Sequence, residues 1–296
     1  MTPVLVRQYP PHTGPAPRVD PGARARDWSE IQERMLVPLY EAVYERLEVG
    51  PGTRLLGLGC GSGLALLTAA YRGAAVTGVD SSPERLALAR ERLLPDTRGP
   101  RARAAARLVG SPLDAAGPRT PPYTLVTAFE PIGCLTGDTE RLGDQLAAAT
   151  PLARLGAPVV LAGWGPPERC ATSAVLRVVL GPAEPPRGVG TPRPALRDDL
   201  EEAACHAGLR PDGSGRVVCP FGYADLDSAV RGLLSTGLLD AAVTATDRAR
   251  VDEELTQALR PYRRRDGTVW MPNVFRYLIA RTPQPPLPAQ PEIRGR

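Results

Sequence analysis

Residues 53–80 read Thr-Arg-Leu-Leu-Gly-Leu-Gly-Cys-Gly-Ser-Gly-Leu-Ala-Leu-Leu-Thr-Ala-Ala-Tyr-Arg-Gly-Ala-Ala-Val-Thr-Gly-Val-Asp. This is an apolar strand, a turn with three spaced glycines, a short helix and a second strand that ends in an acid. Such a unit places a nucleoside-containing cofactor at the carboxyl ends of parallel strands. The spacing narrows the choice. Dinucleotide folds favour G-x-G-x-x-G, whereas Gly59, Gly61 and Gly63 stand as G-C-G-S-G, and Leu64 falls where the third glycine of that motif belongs.

The alternation continues on both sides. Apolar positions Ile31, Met35, Leu39, Val43 and Leu47 predict a helix over Trp28–Leu47 that Pro38 kinks or divides. Strands are predicted at Arg54–Leu58, Ala75–Val79, Ala106–Val109, Tyr123–Phe129 and Pro158–Ala162, with helices at Gly63–Arg72, from Pro83 onward and at Asp138–Leu152. Repeated strand–helix–strand units imply an α/β fold with a doubly wound, Rossmann-like sheet and right-handed crossovers. Helix Asp198–Ala207, strand Arg216–Cys219 and a final strand or hairpin at Thr268–Ala280 complete it. The proline- and glycine-rich stretch 165–197 and the helical stretch 225–265 are expected to cap the cofactor cleft. Residues 1–26 and 282–296, rich in proline, are expected to be disordered tails around a domain at 27–281.

Composition excludes several chemistries. All 36 basic residues are arginine, so neither a Schiff-base lysine nor a P-loop lysine is available. The arginine clusters at Arg24/Arg26, Arg101/Arg103/Arg107 and Arg263–Arg265 lack interleaved aromatics and read as solvated surface, not a nucleic-acid platform. No apolar run reaches the roughly 18 residues of a membrane helix. The proline-rich start does not resemble a signal peptide, so a cytoplasmic location is expected. The cysteines Cys60, Cys134, Cys170, Cys205 and Cys219 form no C-x-x-C pair, which argues against structural zinc and fits a reducing compartment.

On Gly50-Pro51-Gly52-Thr53-Arg54-Leu55-Leu56 leading into Leu58–Gly63, and on Val76-Thr77-Gly78-Val79-Asp80-Ser81-Ser82-Pro83, the chain resembles class I S-adenosylmethionine (SAM) methyltransferases of the actinobacterial small-molecule type. Cys219-Pro220-Phe221-Gly222-Tyr223 and Asn273-Val274-Phe275-Arg276-Tyr277 also look like this family, and the likeness runs from about Trp28 to Ala280. The resemblance implies a seven-stranded sheet with one antiparallel strand, and SAM as cofactor. It places Gly59, Cys60, Gly61, Gly63, Asp80, Ser81, Ser111 and Phe129 against SAM. The glycines would let the methionine and ribose approach the backbone, and the following helix would offer N–H groups to the methionine carboxylate. Asp80 would accept both ribose hydroxyls.

The motif is partly degenerate. Relatives usually carry an acid where Gly57 stands, an Asp where Ser111 stands, and an acid where Thr124 opens the fourth strand. Glu130, at the carboxyl end of that strand, is the candidate to replace the acid missing at Gly57, or else to act on substrate. Glu130, Trp164 and Tyr40 are the candidate catalytic residues, and no metal is called for. Trp28, Gln32 and Met35 are candidate substrate-shaping residues, with Phe221 and Tyr223 as further wall.

Methyl transfer from a sulfonium needs alignment and exclusion of water more than acid–base machinery. This suits a chain with two histidines, of which His206 is expected to cap a helix before Gly208. The expected activity is SAM-dependent methylation of a small molecule, a natural-product (antibiotic-type) intermediate by preference. One alternative is a methyltransferase-fold enzyme that retains SAM but catalyses a cyclisation, elimination or pericyclic step. Another is a non-catalytic partner of a homologue. Self-association, or pairing with a homologue, is left open.

Overall fold

The computed structural model describes residues 20–94, 106–117, 120–180 and 189–283. The chain opens with α1 (Pro21–Asp27), where the Asp20 side chain accepts the Gly22 N–H and a proline occupies the first turn. This corrects the expectation of a disordered segment through residue 26. Residues 1–19 lie outside the described residues. The chain then winds through a π turn (Trp28–Gln32) and a 3₁₀ turn (Glu33–Leu36) into α2 (Val37–Arg46). Pro38, in the first turn of α2, stays compatible with continuous winding because the tightened turn before it changes register. The predicted helix, which Pro38 was expected to kink or divide, is thus one rod of changing pitch.

The sheet follows the predicted rhythm. β1 (Arg54–Leu58), α3 (Leu64–Tyr71), β2 (Ala75–Val79), α4 (Pro83–Leu93) and β3 (Ala106–Val109) form the first half. β4 (Leu125–Ile132), α5 (Asp138–Ala149), β5 (Pro158–Trp164), α6 (Ala171–Leu180) and α7 (Asp199–His206) follow. The chain closes with β6 (Arg210–Val218), β7 (Phe221–Tyr223), α8 (Leu226–Ser235), α9 (Asp240–Ala245), α10 (Arg248–Leu259), β8 (Val269–Met271) and β9 (Val274–Arg281). Seven strands run in the order β3-β2-β1-β4-β5-β9-β6, and β9 lies antiparallel to both neighbours. Of the final strand or hairpin expected at Thr268–Ala280, the strand forms as β9 and the hairpin does not. β8 instead pairs with β7 in a separate ribbon, which frees β9 to enter the main sheet.

Alternate residues of each strand feed two cores. Leu55 packs with α2, α3 and the aromatic side, whereas Leu56 and Leu58 pack with α5 and α7. Burial on both faces is why these strands read as continuous apolar runs. Thr282 belongs to this framework and not to a loose tail: its Oγ1 accepts the Ala157 N–H at 3.0 Å and its own N–H reaches Ala157 O at 3.1 Å. His206 does not cap its helix. Its Nε2 lies 2.8 Å from Asp144 Oδ1, and Gly208 and Leu209 N–H groups close the turn instead.

The segment before α7 is pinned by charge. Arg193 Nη2 reaches Asp138 at 3.1 Å and Asp199 at 2.7 Å, and both carboxylates are buried. Asp138 also accepts the Gly133 and Leu135 N–H groups, and Asp199 the Leu196 N–H. One guanidinium therefore bridges two buried acids, at the starts of α5 and α7. Arg193→Ala is expected to leave both uncompensated and to lower the unfolding free energy by about 3 kcal/mol at neutral pH, measured by chemical denaturation.

Candidate functional site

The carboxyl ends of β1, β2 and β4 converge on the glycine turn. Gly59, Gly61 and Gly63 have φ of +58°, +57° and +82°, a backbone that other residues resist. The turn is held by Cys60 N–H to Val79 O and Gly63 N–H to Cys60 O, both at 2.9 Å. Close approach adds a second demand. A Cβ on Gly61 would stand 2.9 Å from Trp28 Nε1 and 3.0 Å from Glu33 Oε1, and one on Gly59 would stand 3.1 Å from Glu130 Oε2.

Two clefts open here. The first, about 400 Å³ of empty space, is lined by the loop from Gly57 to Gly61 together with Trp28, Glu33, Tyr40, Arg85, Thr127, Phe129 and Glu130. The second, about 810 Å³, is walled by Trp164, Phe221 and Phe275, with Gln32, Asp138, Arg141 and Gln145 as its polar groups. Trp28, Leu36, Leu58, Gly59 and Glu130 line both. Thr236 and Leu238 of the α8–α9 connection line the second cleft. Among the described residues, none of 165–197 lines it, because α6 is tied away from the opening through Ala171 N–H to Pro272 O and Thr172 N–H to Asn273 Oδ1.

The sequence-derived residues separate into groups. Gly59, Cys60, Gly61, Phe129 and Glu130 stand together on the first cleft with Tyr40, and Trp164 faces the second. Tyr40 and Phe129 are buried and stack tilted at 5.0 Å. Burial, then the Glu33 charge, raises the Tyr40 phenol pKa well above its ordinary value. The Cys60 thiol is likewise pushed up, chiefly by burial, so it is an inert wall and not a nucleophile. Glu130 keeps its carboxylate half exposed and 3.6 Å from Arg85.

Asp80 is turned inward. Its Oδ2 accepts the Gly61 N–H at 2.8 Å and its Oδ1 the Ser82 N–H at 2.9 Å, so it staples the glycine turn to the end of β2. Ser81 beside it is exposed. Gly63 does not line either cleft; its missing Cβ makes room for Ala89 and Leu93 of α4 at 3.2 Å. Ser111 caps a 3₁₀ turn by accepting the Leu113 N–H at 3.3 Å. Thr124 lies elsewhere altogether: its Oγ1 accepts the Arg54 N–H, which puts it at the amino ends of the strands, away from the clefts. Its lack of an acid therefore has no bearing on the site.

The site also contains residues that the sequence reading passed over. Glu33 is 2% exposed and lies against the glycine loop. Its Oε2 accepts from the Ser62 hydroxyl and, at 2.6 Å, from Arg92 Nη1, while Oε1 accepts the Leu64 N–H at 3.3 Å. Arg92 also donates to Ser62 O and, through Nη2, to Ser29 Oγ. The start of α3, expected to receive a ligand carboxylate, thus already faces a carboxylate of the chain itself.

With this geometry in hand, relatedness can be placed. Residues 56–106 match the methyltransferase domain family. Over 48 residues the chain is 46% identical to magnesium-protoporphyrin O-methyltransferase of Rhodobacter capsulatus, a stretch that is 16% of this chain and 21% of that protein. Among solved structures, the YcgJ protein of Bacillus subtilis aligns with a TM-score of 0.52 and 11% identity, covering 83% of this chain and 98% of that one. A structure assigned to the methyltransferases, from Bacillus halodurans C-125, aligns with a TM-score of 0.51 and 13% identity over 83% and 99%. The chain has the Rossmann-like α/β fold of the class I methyltransferases. The seven-stranded sheet belongs to the fold it shares with those structures, and the glycine turn after β1 lies within the stretch that matches the family.

Asp80 provides a direct electrostatic test. Burial raises its pKa above the ordinary carboxyl value, against the Ser82 N–H, Arg85 and the Gly61 N–H, all of which lower it. A carboxyl whose folded-state pKa is raised binds its proton more tightly when folded, so its contribution is complete below the unfolded pKa and is lost as pH rises through the folded one. The stability of the wild type minus that of Asp80→Asn is therefore expected to rise as pH falls across that window, measured by urea denaturation at a series of pH values.

Proposed function

We propose that the chain transfers a methyl group from SAM to a small organic molecule, with a planar natural-product intermediate as the substrate class. The single observation that carries this reading is the shared wall of the two clefts at Gly59, Trp28 and Glu130. A donor on the glycine loop and an acceptor on the aromatic side would meet there. The residues fit SAM on one structural count: the buried Trp28 Nε1 has no hydrogen-bond partner among the described residues and stands over Gly61 in the first cleft.

When bound, SAM would supply an electrophilic methyl on a sulfonium. The chain's own residues then have three tasks. Gly59 and Gly61 leave room for the methionine end beside Phe129 and Tyr40. Trp164 and Phe275, with ring centroids 4.7 Å apart, and Phe221, 6.0 Å from each, give the acceptor an apolar wall of mutually tilted rings that excludes water. Glu130 is the acid at the junction. Held near Arg85, it is placed to orient an acceptor hydroxyl or amine and to take up its proton.

A second reading is favoured by Asp80 and Ser111, which both serve the chain's own backbone. In that reading SAM is retained as a fixed cation while the acceptor cyclises or eliminates. Incubation with methyl-labelled SAM and a panel of hydroxylated aromatic acceptors separates the two. Transfer of label is expected, and Glu130→Gln is expected to lower kcat by about a hundredfold with unchanged S-adenosylhomocysteine affinity. Acceptor conversion without label would support the second reading, and absence of SAM binding would overturn both.

A further inference from the structure

We propose that Trp28 and Glu33 form the receptor for the α-amino-acid end of the cofactor, with Glu33 Oε1 taking the ammonium and the Trp28 indole N–H taking the carboxylate. This rests on the SAM reading above and names the residues that would select the intact cofactor.

The two oxygens of Glu33 are unequally engaged. Oε2 holds Arg92 and the Ser62 hydroxyl, whereas Oε1 has one long bond, at 3.3 Å, from the Leu64 N–H. Oε1 therefore retains acceptor capacity on the cleft side. Beside it lies the opposite need. Trp28 is 7% exposed, and its Nε1 donor is buried without a partner among the described residues. A buried donor left unpaired is costly, and a ligand acceptor at this point would satisfy it. Both atoms crowd the same point, the missing Cβ of Gly61, at 2.9 Å and 3.0 Å. An unpaired donor next to an underused carboxylate oxygen is the complement of a zwitterion, an ammonium and a carboxylate on one carbon.

Other placements fit less well. A Cβ at Gly57 would stand 2.8 Å from Leu66 Cδ2, and Leu66 is buried, so an acid there would have to displace core. Glu130 is half exposed and faces Arg85. The start of α3 faces Glu33 and so repels a bare anion. Arg85 lies 4.9 Å over the Trp28 ring and fixes its plane, while adding positive charge on the carboxylate side.

The test compares two probes by calorimetry on the full chain: S-adenosylhomocysteine, which carries the amino-acid end, and 5′-methylthioadenosine, which lacks it. Wild type is expected to bind the first more tightly. Glu33→Gln is expected to weaken S-adenosylhomocysteine about tenfold or more, and Trp28→Phe about fivefold, with 5′-methylthioadenosine unchanged in both. Trp28→Phe keeps the ring packing and decides the matter if Glu33→Gln does not fold. Equal loss for both probes, or loss for neither, would overturn the receptor. Equal wild-type affinity for the two probes would overturn it while leaving the SAM reading intact, and binding of neither would overturn that reading as well.

Discussion

The carboxylate of Glu33 is the interaction on which the site depends. Buried, with an arginine and a hydroxyl on one oxygen, it ties the opening rod of the chain to the glycine turn and to α4 through Ser62 and Arg92. A buried ion pair of this kind adds little to stability by itself, but leaving one partner alone is expensive, so it enforces a particular docking of the parts it joins. The docking places Trp28 over Gly61 and brings Tyr40 against Phe129. Without it the first cleft would lose one wall, and the glycine loop would face solvent on that side.

The two clefts then divide the chemistry by composition. Around the glycine loop the polar groups are few and mostly committed: Asp80 to backbone N–H groups, Glu33 to Arg92, Glu130 to Arg85. On the far side, Trp164, Phe221 and Phe275 form an aromatic wall beside the polar groups Gln32, Asp138, Arg141 and Gln145. A reaction that needs orientation and dryness suits such a place better than one that needs a titrating base near neutrality. The described residues contain one histidine, and it is paired with Asp144 outside both clefts.

The fold was legible where local chemistry and tertiary context agree. β1, β2 and the glycine turn were readable because positive φ requires glycine and because two-sided burial demands unbroken apolar strands. Glu130, Phe129 and Trp164 line the clefts because residues at the carboxyl ends of parallel strands face the crevice. Other readings failed for identifiable reasons. Thr124 looked like part of the site because its position before β4 was taken without the strand direction, which puts it beside Arg54 at the opposite edge. Glu33 was passed over because a charge on the flank of an apolar stripe is normally solvated; the π and 3₁₀ turns rotate it inward, and no residue pattern announces that change of pitch. Asp80 was found, but its backbone bonds are visible only in three dimensions.

The central claim is that the cofactor end is read by the rod that Glu33 docks, at Trp28. With 3 tryptophans in the chain, the indole N–H resonances can be assigned by substitution and followed by ¹⁵N NMR as S-adenosylhomocysteine is added. The account predicts a saturable downfield shift of the Trp28 indole proton, as an unpaired donor acquires a carboxylate, while the Trp270 signal stays in place. A Trp28 indole that does not move while the amides of Gly59 and Gly61 do would contradict it.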